Sequence, residues 1–400
     1  MNARISSNGR VVHATDSPNV KVEQPSIIPL MISWEMIVIT NHWKWCAWSG
    51  GVVALIVSCA AGCEYPSNEF VAMNEQIPSA QVAELRGPFV SADLVVDRDT
   101  NSTLLVTCSK DAVIRVFDMK GHEQRQWKID SSIGQVLLFT VSTRTDAYAA
   151  LDHNGEVVFG RLSQAKTIAR GKAKIQYPRL AFSHDGKWLA AVGTDVGQVW
   201  QTADMSECPE FLREDGVSRR VQETLAFFKE GDDARFATAG FPNDFIDLLA
   251  LPSGTVVRTL RGNERSDKRF EDLVTTPDSR FLVAVTTASL HLAVWDIATG
   301  EIVARPKAFP TGIGNRLKVS EDGKTLVCSQ FLHSSISRAG FRVYRVNGWT
   351  EAGWVEVKDD APKSEWENLK ILNLSIDSNG STVATLHGAG QVRLWQVPTK

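Results

Sequence analysis

Short apolar segments alternate with polar turns along most of the chain, and the same pattern returns several times. The stretch "AFSHDGKWLAAVG" (residues 181–193) contains one apolar strand, a polar break and a second apolar strand. Similar stretches are "VSEDGKTLVCS" (319–329) and "SIDSNGSTVATL" (375–386). Val, Leu, Phe and Thr favour strands, and Asp, Asn and Gly tolerate the tight turn between them. The pattern therefore predicts β-hairpins that recur with a regular period.

The period can be read from a bulky residue near the end of a third strand in each copy. These residues are Phe117, Phe159, Trp200, Leu249, Trp295, Tyr344 and Trp395, and successive ones are 41 to 51 residues apart. Four short strands in each period of about 40–50 residues are typical of propeller blades. We therefore predict an all-β fold, a seven-bladed β-propeller of four-stranded antiparallel blades. The bulky residues are expected to fill the space between neighbouring blades.

The two ends of the repeat region predict how the ring closes. The last copy stops just past a third strand, at "QVRLWQVPTK" (391–400), and so lacks a fourth strand. A segment that resembles a fourth strand, "QVAELRG" (81–87), precedes the first copy. An N-terminal strand that completes the last blade would close the circle and leave fewer open edges. The propeller domain is accordingly assigned to residues 81–400.

Two copies carry a family resemblance. The stretches "TCSKDAVIRVFDMKG" (107–121) and "VTTASLHLAVWDIATGEIV" (285–303) resemble WD-repeat (WD-40-like) blades, and Trp295-Asp296 matches the signature dipeptide. The resemblance implies a rigid propeller scaffold that offers one face to a protein or peptide partner.

The chain also departs from the pattern of that family. Gly87-Pro88 and Gly262-Asn263 stand where WD repeats usually have Gly-His ahead of a first strand. The buried His-Ser-Asp-Trp hydrogen-bond network of the family is therefore not expected to be complete.

The N-terminal region is predicted to lie outside the propeller. Residues 47–62, "AWSGGVVALIVSCAAG", are uncharged and apolar, as in the hydrophobic part of a signal peptide. Cysteines close the tetrapeptides "IVSC" and "AAGC", which resemble the bacterial lipobox, and of the two we favour Cys63 over Cys59 as the lipidated residue. An uncleaved anchor is the alternative.

The lipobox resemblance implies a domain organisation and a location. Residues 1–63 form an N-terminal extension with the signal segment, and residues 64–80 form a polar tether to the propeller. The expected location is the cell envelope of a bacterium, where the protein is lipid-anchored and extracytoplasmic.

Composition and motifs argue against several classes of function. The chain is 43% hydrophobic and 22% charged, and its formal net charge of −3 lacks the basic excess that nucleic-acid binding usually requires. It contains no Ser-centred nucleophile elbow, no Gly-rich phosphate loop, no His-Glu-x-x-His and no Cys-x-x-Cys. We therefore predict no cofactor, no metal and no nucleic-acid partner, and we favour a non-enzymatic function.

Three histidines follow second strands. His291, His333 and His387 lie near the loops between second and third strands, which gather on one face of a propeller. Convergence there would build a metal or catalytic site. With one histidine per blade and no paired carboxylate, we prefer solvated surface histidines.

The joints between blades carry the strongest functional signal. "LREDGVSRRVQE" (212–223) and "LRGNERSDKRFED" (260–272) are rich in arginine, and joints share one face of a propeller with the loops between second and third strands. We call this the joint face and the opposite one the hairpin-turn face. The predicted partner-binding surface consists of Arg219, Arg220, Arg265, Arg269, Arg316, His333 and Arg338. Interleaved acids leave a solvated mixed-charge surface as the alternative.

The sequence thus predicts a binding protein or scaffold whose joint face takes an acidic protein or peptide partner at the cell envelope. The alternative is a propeller hydrolase or lactonase with its site at the mouth of the central channel. A cluster such as His333, Arg338 and Glu271 over the channel would favour the hydrolase. An empty or apolar mouth would favour the scaffold.

Overall fold

The chain folds as an all-β ring. The computed structural model describes residues 80–130, 133–142, 144–173, 179–193, 197–204, 206–207, 222–240, 245–262, 270–286, 291–307, 316–332, 338–357, 369–388 and 390–397. These residues form 27 β-strands in seven antiparallel sheets and contain no α-helix. The predicted seven-bladed propeller is confirmed. The predicted signal segment, its two cysteines and the tether as far as residue 79 lie outside the described residues.

The strands follow the predicted order in every blade. Blade 1 contains β2 (Phe89–Val96), β3 (Thr103–Ser109), β4 (Val113–Phe117) and β5 (Glu123–Lys128). Blade 2 contains β6 (Val136–Val141), β7 (Ala147–Asp152), β8 (Glu156–Arg161) and β9 (Lys166–Lys172). Blade 3 contains β10 (Arg179–Phe182), β11 (Trp188–Val192) and β12 (Gly197–Gln201). Blade 4 contains β13 (Gln222–Glu230), β14 (Asp233–Gly240), β15 (Phe245–Ala250) and β16 (Val256–Arg261).

The remaining strands complete the ring. Blade 5 contains β17 (Phe270–Thr275), β18 (Phe281–Thr286), β19 (Ala293–Asp296) and β20 (Ile302–Ala304). Blade 6 contains β21 (Leu317–Val319), β22 (Thr325–Leu332), β23 (Arg338–Arg345) and β24 (Thr350–Val357). Blade 7 contains β25 (Ile371–Ile376), β26 (Thr382–His387) and β27 (Gln391–Gln396), and its fourth strand is β1 (Ala80–Arg86).

The N-terminal strand closes the ring, as predicted. β1 pairs antiparallel with β27 from Ala80 opposite Gln396 to Arg86 opposite Gln391, with a register shift after Gln81. The third strand of blade 7 is therefore covered on its outer side by the first strand of the fold. Closure of this kind removes the open edge that β27 would otherwise present.

Blade 3 departs from four full strands. Its sheet contains three strands, and an isolated bridge between Trp200 and Glu207 stands where a fourth strand would pair. The side chain of Gln198 donates to the carboxylate of the same Glu207 at 2.7 Å. This bridge and this hydrogen bond hold the start of a fourth strand against β12.

A side-chain motif stabilises the first hairpin turn of several blades. In blade 6, Ser320 donates to Asp322 Oδ1 at 2.6 Å, while its hydroxyl oxygen accepts from the backbone N–H of Thr325 at 3.0 Å. The pairs Ser183 with Asp185 and Thr276 with Asp278 repeat the arrangement in blades 3 and 5. The acidic residues of these turns therefore accept hydrogen bonds from neighbouring hydroxyls and from backbone N–H groups of the same turn.

The bulky residues of the third strands lie between blades, also as predicted. Trp200 belongs to a buried cluster with Ala149 and Leu151 of blade 2, and its exposed fraction is 1%. Trp395 meets Phe341 of blade 6 edge to face, with ring centroids 6.1 Å apart. Adjacent blades thus share their cores, so the ring is stabilised as a unit.

A repeated polar pair joins the third and fourth strands. Arg342, two residues before the bulky position of blade 6, lies 2.5 Å from Glu351 of β24, and both side chains are less than 10% exposed. Arg115 and Glu123 occupy the equivalent positions of blade 1 at 3.8 Å. This pairing is a repeat signature within the blades that the hydrophobic pattern did not reveal.

Candidate functional site: the central channel and its joint-face mouth

The first strands of all seven blades surround an axial channel, whose cavity has a volume of about 320 Å³. Each first strand runs from the joint face to the hairpin-turn face, because a joint precedes it and the first hairpin turn follows it. Residues near its start therefore lie towards the joint face. The volume is at the lower end of the range for small-molecule sites, about 300–1,000 Å³.

The channel wall is more polar on one side than on the other. The more polar side belongs to blades 5, 6, 7 and 1 and includes Asp272, Arg316, Lys318, Asn373, Ser375 and Asp93. The other side, from blades 2, 3 and 4, includes the apolar residues Leu138, Phe139, Leu180, Phe182, Leu225 and Phe227, and also the polar residues Arg179 and His184 near its two ends. A ligand that fits this cavity would combine a polar group with an apolar body.

The joint-face mouth combines a cation with an exposed apolar side chain. The Nε–H of Arg316 donates to the carbonyl oxygen of Leu372 in the next blade at 3.3 Å, and Leu372 is 44% exposed. Three other large hydrophobic residues of the described chain are comparably exposed: Ile168, Val257 and Val303. Those three lie on fourth strands at the perimeter of the ring. Leu372 is therefore the member of this group that lies at the channel.

Arg316 experiences both like and opposite charges. Burial lowers the pKa of its guanidinium, and the positive charge of Arg179, which begins the first strand of blade 3, lowers it further. The carboxylates of Asp272 and Glu271 in blade 5 act in the opposite direction. Two arginines from different blades therefore act on each other at this mouth.

The nearby carboxylate of Asp272 is bound to the wall of the channel. Its Oδ2 accepts the backbone N–H of Leu317 at 2.8 Å, and its Oδ1 accepts that of Leu273 at 3.1 Å. Since Leu317 belongs to blade 6, the first of these hydrogen bonds also joins two blades.

Deeper in the channel, an acid is buried and a base is exposed. Asp93 of blade 1 is 8% exposed and accepts a hydrogen bond from Ser91 at 2.7 Å. Burial raises the pKa of Asp93, while Lys318 and the hydrogen bond from Ser91 act to lower it. Lys318 of blade 6 is exposed. The positive group therefore faces the lumen, while the acid belongs to the wall.

His184 crosses the wall near the hairpin-turn end. It lies in the turn after β10, and its Nε2 lies 3.4 Å from the carbonyl oxygen of Thr275 in blade 5. The hydroxyl of Thr275 in turn donates to the carbonyl of Phe227 in blade 4. Groups from three consecutive blades thus meet here, and the ring of His184 is partly buried.

The predicted partner-binding residues fall on both described and undescribed segments. Arg219, Arg220, Arg265, Arg269 and His333 lie outside the described residues. Arg338 begins β23, and its side chain is not described. Arg316 lies at the joint-face mouth, on the predicted face.

Of the cluster expected for a hydrolase, the structure describes the side chain of Glu271 in β17 and only the backbone of Arg338. The described residues at the joint-face mouth include charged groups and an exposed leucine. This matches neither the His-Arg-Glu cluster expected of a hydrolase nor the empty or apolar mouth expected of a scaffold.

His387 is part of a buried network, and the surface role suggested for it is wrong. Its exposed fraction is 0%, and its Nδ1–H donates to the carbonyl of Leu369 at 2.8 Å. Its Nε2 lies 2.8 Å from the hydroxyl of Thr385, which accepts the indole N–H of Trp395 at 2.8 Å. A carbonyl can only accept, so Nε2 is the acceptor of the Thr385 hydroxyl. Within the described residues, no group of three His, Cys, Asp or Glu side chains is arranged to hold a metal ion.

Sequence reasoning missed the channel itself. Arg179, Lys318 and Leu372 line it, yet none was singled out as a candidate. The available signal was a charged residue within a short apolar first strand, as in "RLAF" (179–182) and "LKVS" (317–320). A buried strand tolerates such a charge where its side chain reaches a lumen.

Comparison with known proteins adds no family assignment. No family profile matches the sequence. A search of curated proteins finds no match either. Among the described residues, no helix has the length and apolar character needed to cross a membrane.

Proposed function

We propose that this propeller is a non-enzymatic, WD-repeat-like binding protein whose joint face takes an acidic protein or peptide partner. The observation that carries the proposal is the contact between Arg316 and the exposed Leu372 at the channel mouth. Arginine is enriched among the residues that dominate protein interfaces, and the exposed leucine adds apolar area that a partner would bury.

The charge of the mouth supports an acidic partner. Burial lowers the pKa of the Arg316 guanidinium, and the repulsion by the positive charge of Arg179 lowers it further. A partner carboxylate placed between them would offset that repulsion. The neighbouring acid, Asp272, is already hydrogen-bonded to backbone N–H groups.

The network in blade 7 supports the likeness to WD repeats. Trp395 of a third strand, Thr385 of a second strand and His387 are connected as the Trp, Ser or Thr, and His of that family are. The histidine here comes from the end of the second strand, whereas the family takes it from the joint. The arrangement is thus a variant of the family network, which agrees with the missing Gly-His dipeptides.

The proposal includes a location at the bacterial cell envelope. It rests on the lipobox-like sequences ending at Cys63 and Cys59 and on the polar segment that follows them. A protein held there would reach its partner on the extracytoplasmic side.

The experiment compares two double variants of the full-length, membrane-extracted protein. Arg316→Glu with Leu372→Asp changes the mouth, and Lys324→Glu with Val303→Asp makes the same chemical changes elsewhere, at an 81% exposed lysine side chain and a 50% exposed valine. We expect the mouth variant to lose a partner captured from the envelope fraction at least tenfold, and the control to retain it. Equal retention by both variants would overturn the proposal.

The rate of association supplies a second test. Rim charges mainly steer encounters, so reversal of Arg265, Arg269 and Arg316 to Glu should slow binding of the captured partner and weaken its salt dependence, with little change in melting temperature. Unfolding of this triple variant would mean that the arginines are structural.

A further inference from the structure

We infer that the central channel binds a small apolar carboxylate, with its anionic group between Arg316 and Lys318 and its apolar body against blades 2 to 4. The inference deepens the proposed function, because it names the group that a partner would insert at the joint-face mouth.

The register of blade 6 places both cations on one side of a strand. Arg316 and Lys318 are two residues apart, and alternate residues of a strand point to the same face. Leu317, between them, belongs instead to a buried cluster with Val283 and Val285 of blade 5. Arg316 reaches towards blade 7, where its Nε–H meets the carbonyl of Leu372. A rise of about 3.3 Å per residue puts Lys318 roughly 7 Å deeper in the channel than Arg316.

No described carboxylate forms a direct ion pair with Arg316 or Lys318. Within the described residues, Arg316 and Lys318 form no ion pair at 4 Å or less. Carboxylates act on both by longer-range electrostatic attraction, Asp272 and Glu271 on Arg316 and Asp93 on Lys318. Asp272 uses its oxygens on backbone N–H groups, and Asp93 is buried beside Ser91. Arg316 and Lys318 therefore present positive charge to the lumen, while the carboxylates of Asp272 and Asp93 are bound to the wall.

The opposite wall favours an apolar body. Leu138, Leu180 and Phe182 are partly buried side chains that pack on the core between blades 2 and 3, and all three line the cavity. A cavity of about 320 Å³ has room for a ligand the size of one apolar amino-acid residue. A carboxylate on a short branched alkyl chain would therefore satisfy both sides.

The direction of entry follows from the two ends of the channel. At the hairpin-turn end, His184 reaches from blade 3 to the carbonyl of Thr275 in blade 5 and narrows the lumen. At the joint-face end, Leu372 is exposed beside Arg316. The ligand enters from the joint face, as a free small acid or as the C-terminal residue of a peptide.

The test uses 4-methylpentanoate, its amide, and two short peptides that end in leucine, one with a free carboxylate and one amidated. Binding to the full-length protein is followed by calorimetry and by the shift in melting temperature. We expect the two carboxylates to bind and the two amides to bind at least about tenfold more weakly, since hydrogen bonds to charged groups are the stronger ones. Peptide binding much tighter than that of the free acid identifies a chain terminus as the source. The reverse order identifies a metabolite. Amides that bind as well as carboxylates would overturn the inference.

The matched variants are Lys318→Met and Lys324→Met. Both remove an ammonium group from the same blade, but Lys324 lies in the first hairpin turn with an 81% exposed side chain. We expect Lys318→Met to weaken carboxylate binding at least about tenfold and Lys324→Met to leave it unchanged. Similar affinities in the two variants would overturn the site.

The outcomes separate this inference from the proposed function. If no carboxylate binds while the envelope partner is still captured through Arg316 and Leu372, the channel site is wrong and the docking face stands. If carboxylates bind and the mouth variant still captures the partner, the proposed docking face is wrong.

Discussion

The Nε of Arg393 in the last strand of the ring lies 3.6 Å from Oε2 of Glu84 in the first strand. As in blade 6, an arginine two residues before the bulky position meets a fourth-strand glutamate, but Glu84 lies directly opposite Arg393. This pair joins the two ends of the fold. Because the Arg393 side chain is only 5% exposed, loss of the Glu84 carboxylate removes a negative charge beside a buried positive one. We expect Glu84→Gln to lower the free energy of unfolding by about 1–3 kcal/mol, as measured by denaturant titration.

The control for this prediction is a more exposed arginine–glutamate pair between the third and fourth strands of blade 1. Arg115 and Glu123 are 3.8 Å apart, with side chains 26% and 40% exposed. Glu123→Gln should therefore change stability by about 0–1 kcal/mol. Equal effects of the two substitutions would show that the pair at the closure is no stronger than a surface ion pair.

Ring closure predicts a global effect of a single apolar residue. Leu85 of β1 packs against a buried cluster that contains Ala384 and Leu394 of blade 7. Leu85→Asp should lower the free energy of unfolding by about 2–4 kcal/mol and keep one cooperative transition. Tryptophan fluorescence and circular dichroism should give the same midpoint. Val257→Asp, at a 45% exposed position of an outer strand, is the control and should have little effect. An unchanged midpoint for Leu85→Asp would count against closure by β1.

The buried network of blade 7 predicts the cost of one hydroxyl. Thr385→Val keeps the shape of the side chain but leaves the indole N–H of Trp395 and the Nε2 of His387 without this partner. The expected loss is about 1–3 kcal/mol in thermal or chemical unfolding. Thr350→Val, on an exposed strand position, makes the same chemical change and should be nearly neutral. Two equal effects would mean that the network contributes nothing specific.

The position of His184 predicts a pH dependence of stability. Burial lowers its pKa below 6.5, and Arg144 and Lys318 lower it further, against the opposing effects of the Thr275 carbonyl and Glu321. The unfolded chain therefore binds the proton more tightly than the folded one. The contribution of neutral His184 to the free energy of unfolding is complete above pH 6.5 and is lost as the pH falls below it. His184→Gln should lose less stability than the wild type between pH 7 and pH 5.

The pH experiment needs a second histidine variant. His153 is exposed in a turn of blade 2, and His153→Gln should keep the wild-type dependence of stability on pH. The measurement is the denaturant midpoint of each variant at several pH values. If His184→Gln keeps the wild-type pH dependence of stability, protonation of His184 does not cause it.

The lipidation prediction can be checked apart from the fold. Cys63→Ser should abolish acyl labelling and release the protein from membranes, while Cys59→Ser should leave both unchanged. The opposite pattern would move the site to Cys59. Labelling of the wild type at neither position would indicate an ordinary signal peptide or an uncleaved anchor.

The sequence predicted the ring well because its signals are local. The hairpin turns repeat a hydroxyl and an acid two residues apart, as in Ser320 and Asp322, and the bulky third-strand residues mark the period. The closing strand also followed from the pattern, since the last copy shows three strands and the segment before the first copy resembles a fourth. That segment, β1, pairs with β27 beside Trp395.

The channel was harder to predict because its residues come from all seven blades. Arg179 and Arg316 are 137 positions apart in the chain, and only the closed ring brings their charges into mutual influence. The exposure of Leu372 was equally hidden, because its strand reads as an ordinary buried "ILNLSI" (371–376). The burial of His387 had no signal at all in its own stretch, since its partner carbonyl belongs to Leu369.

The direction of β1 decides at which face the polypeptide enters the ring. As a fourth strand, β1 runs from the hairpin-turn face at Ala80 to the joint face at Arg86, on the outer rim of blade 7. The polypeptide therefore enters the propeller at the rim of the hairpin-turn face. Anything joined to the chain ahead of Ala80 is therefore attached at the face opposite the mouth with Arg316 and Leu372.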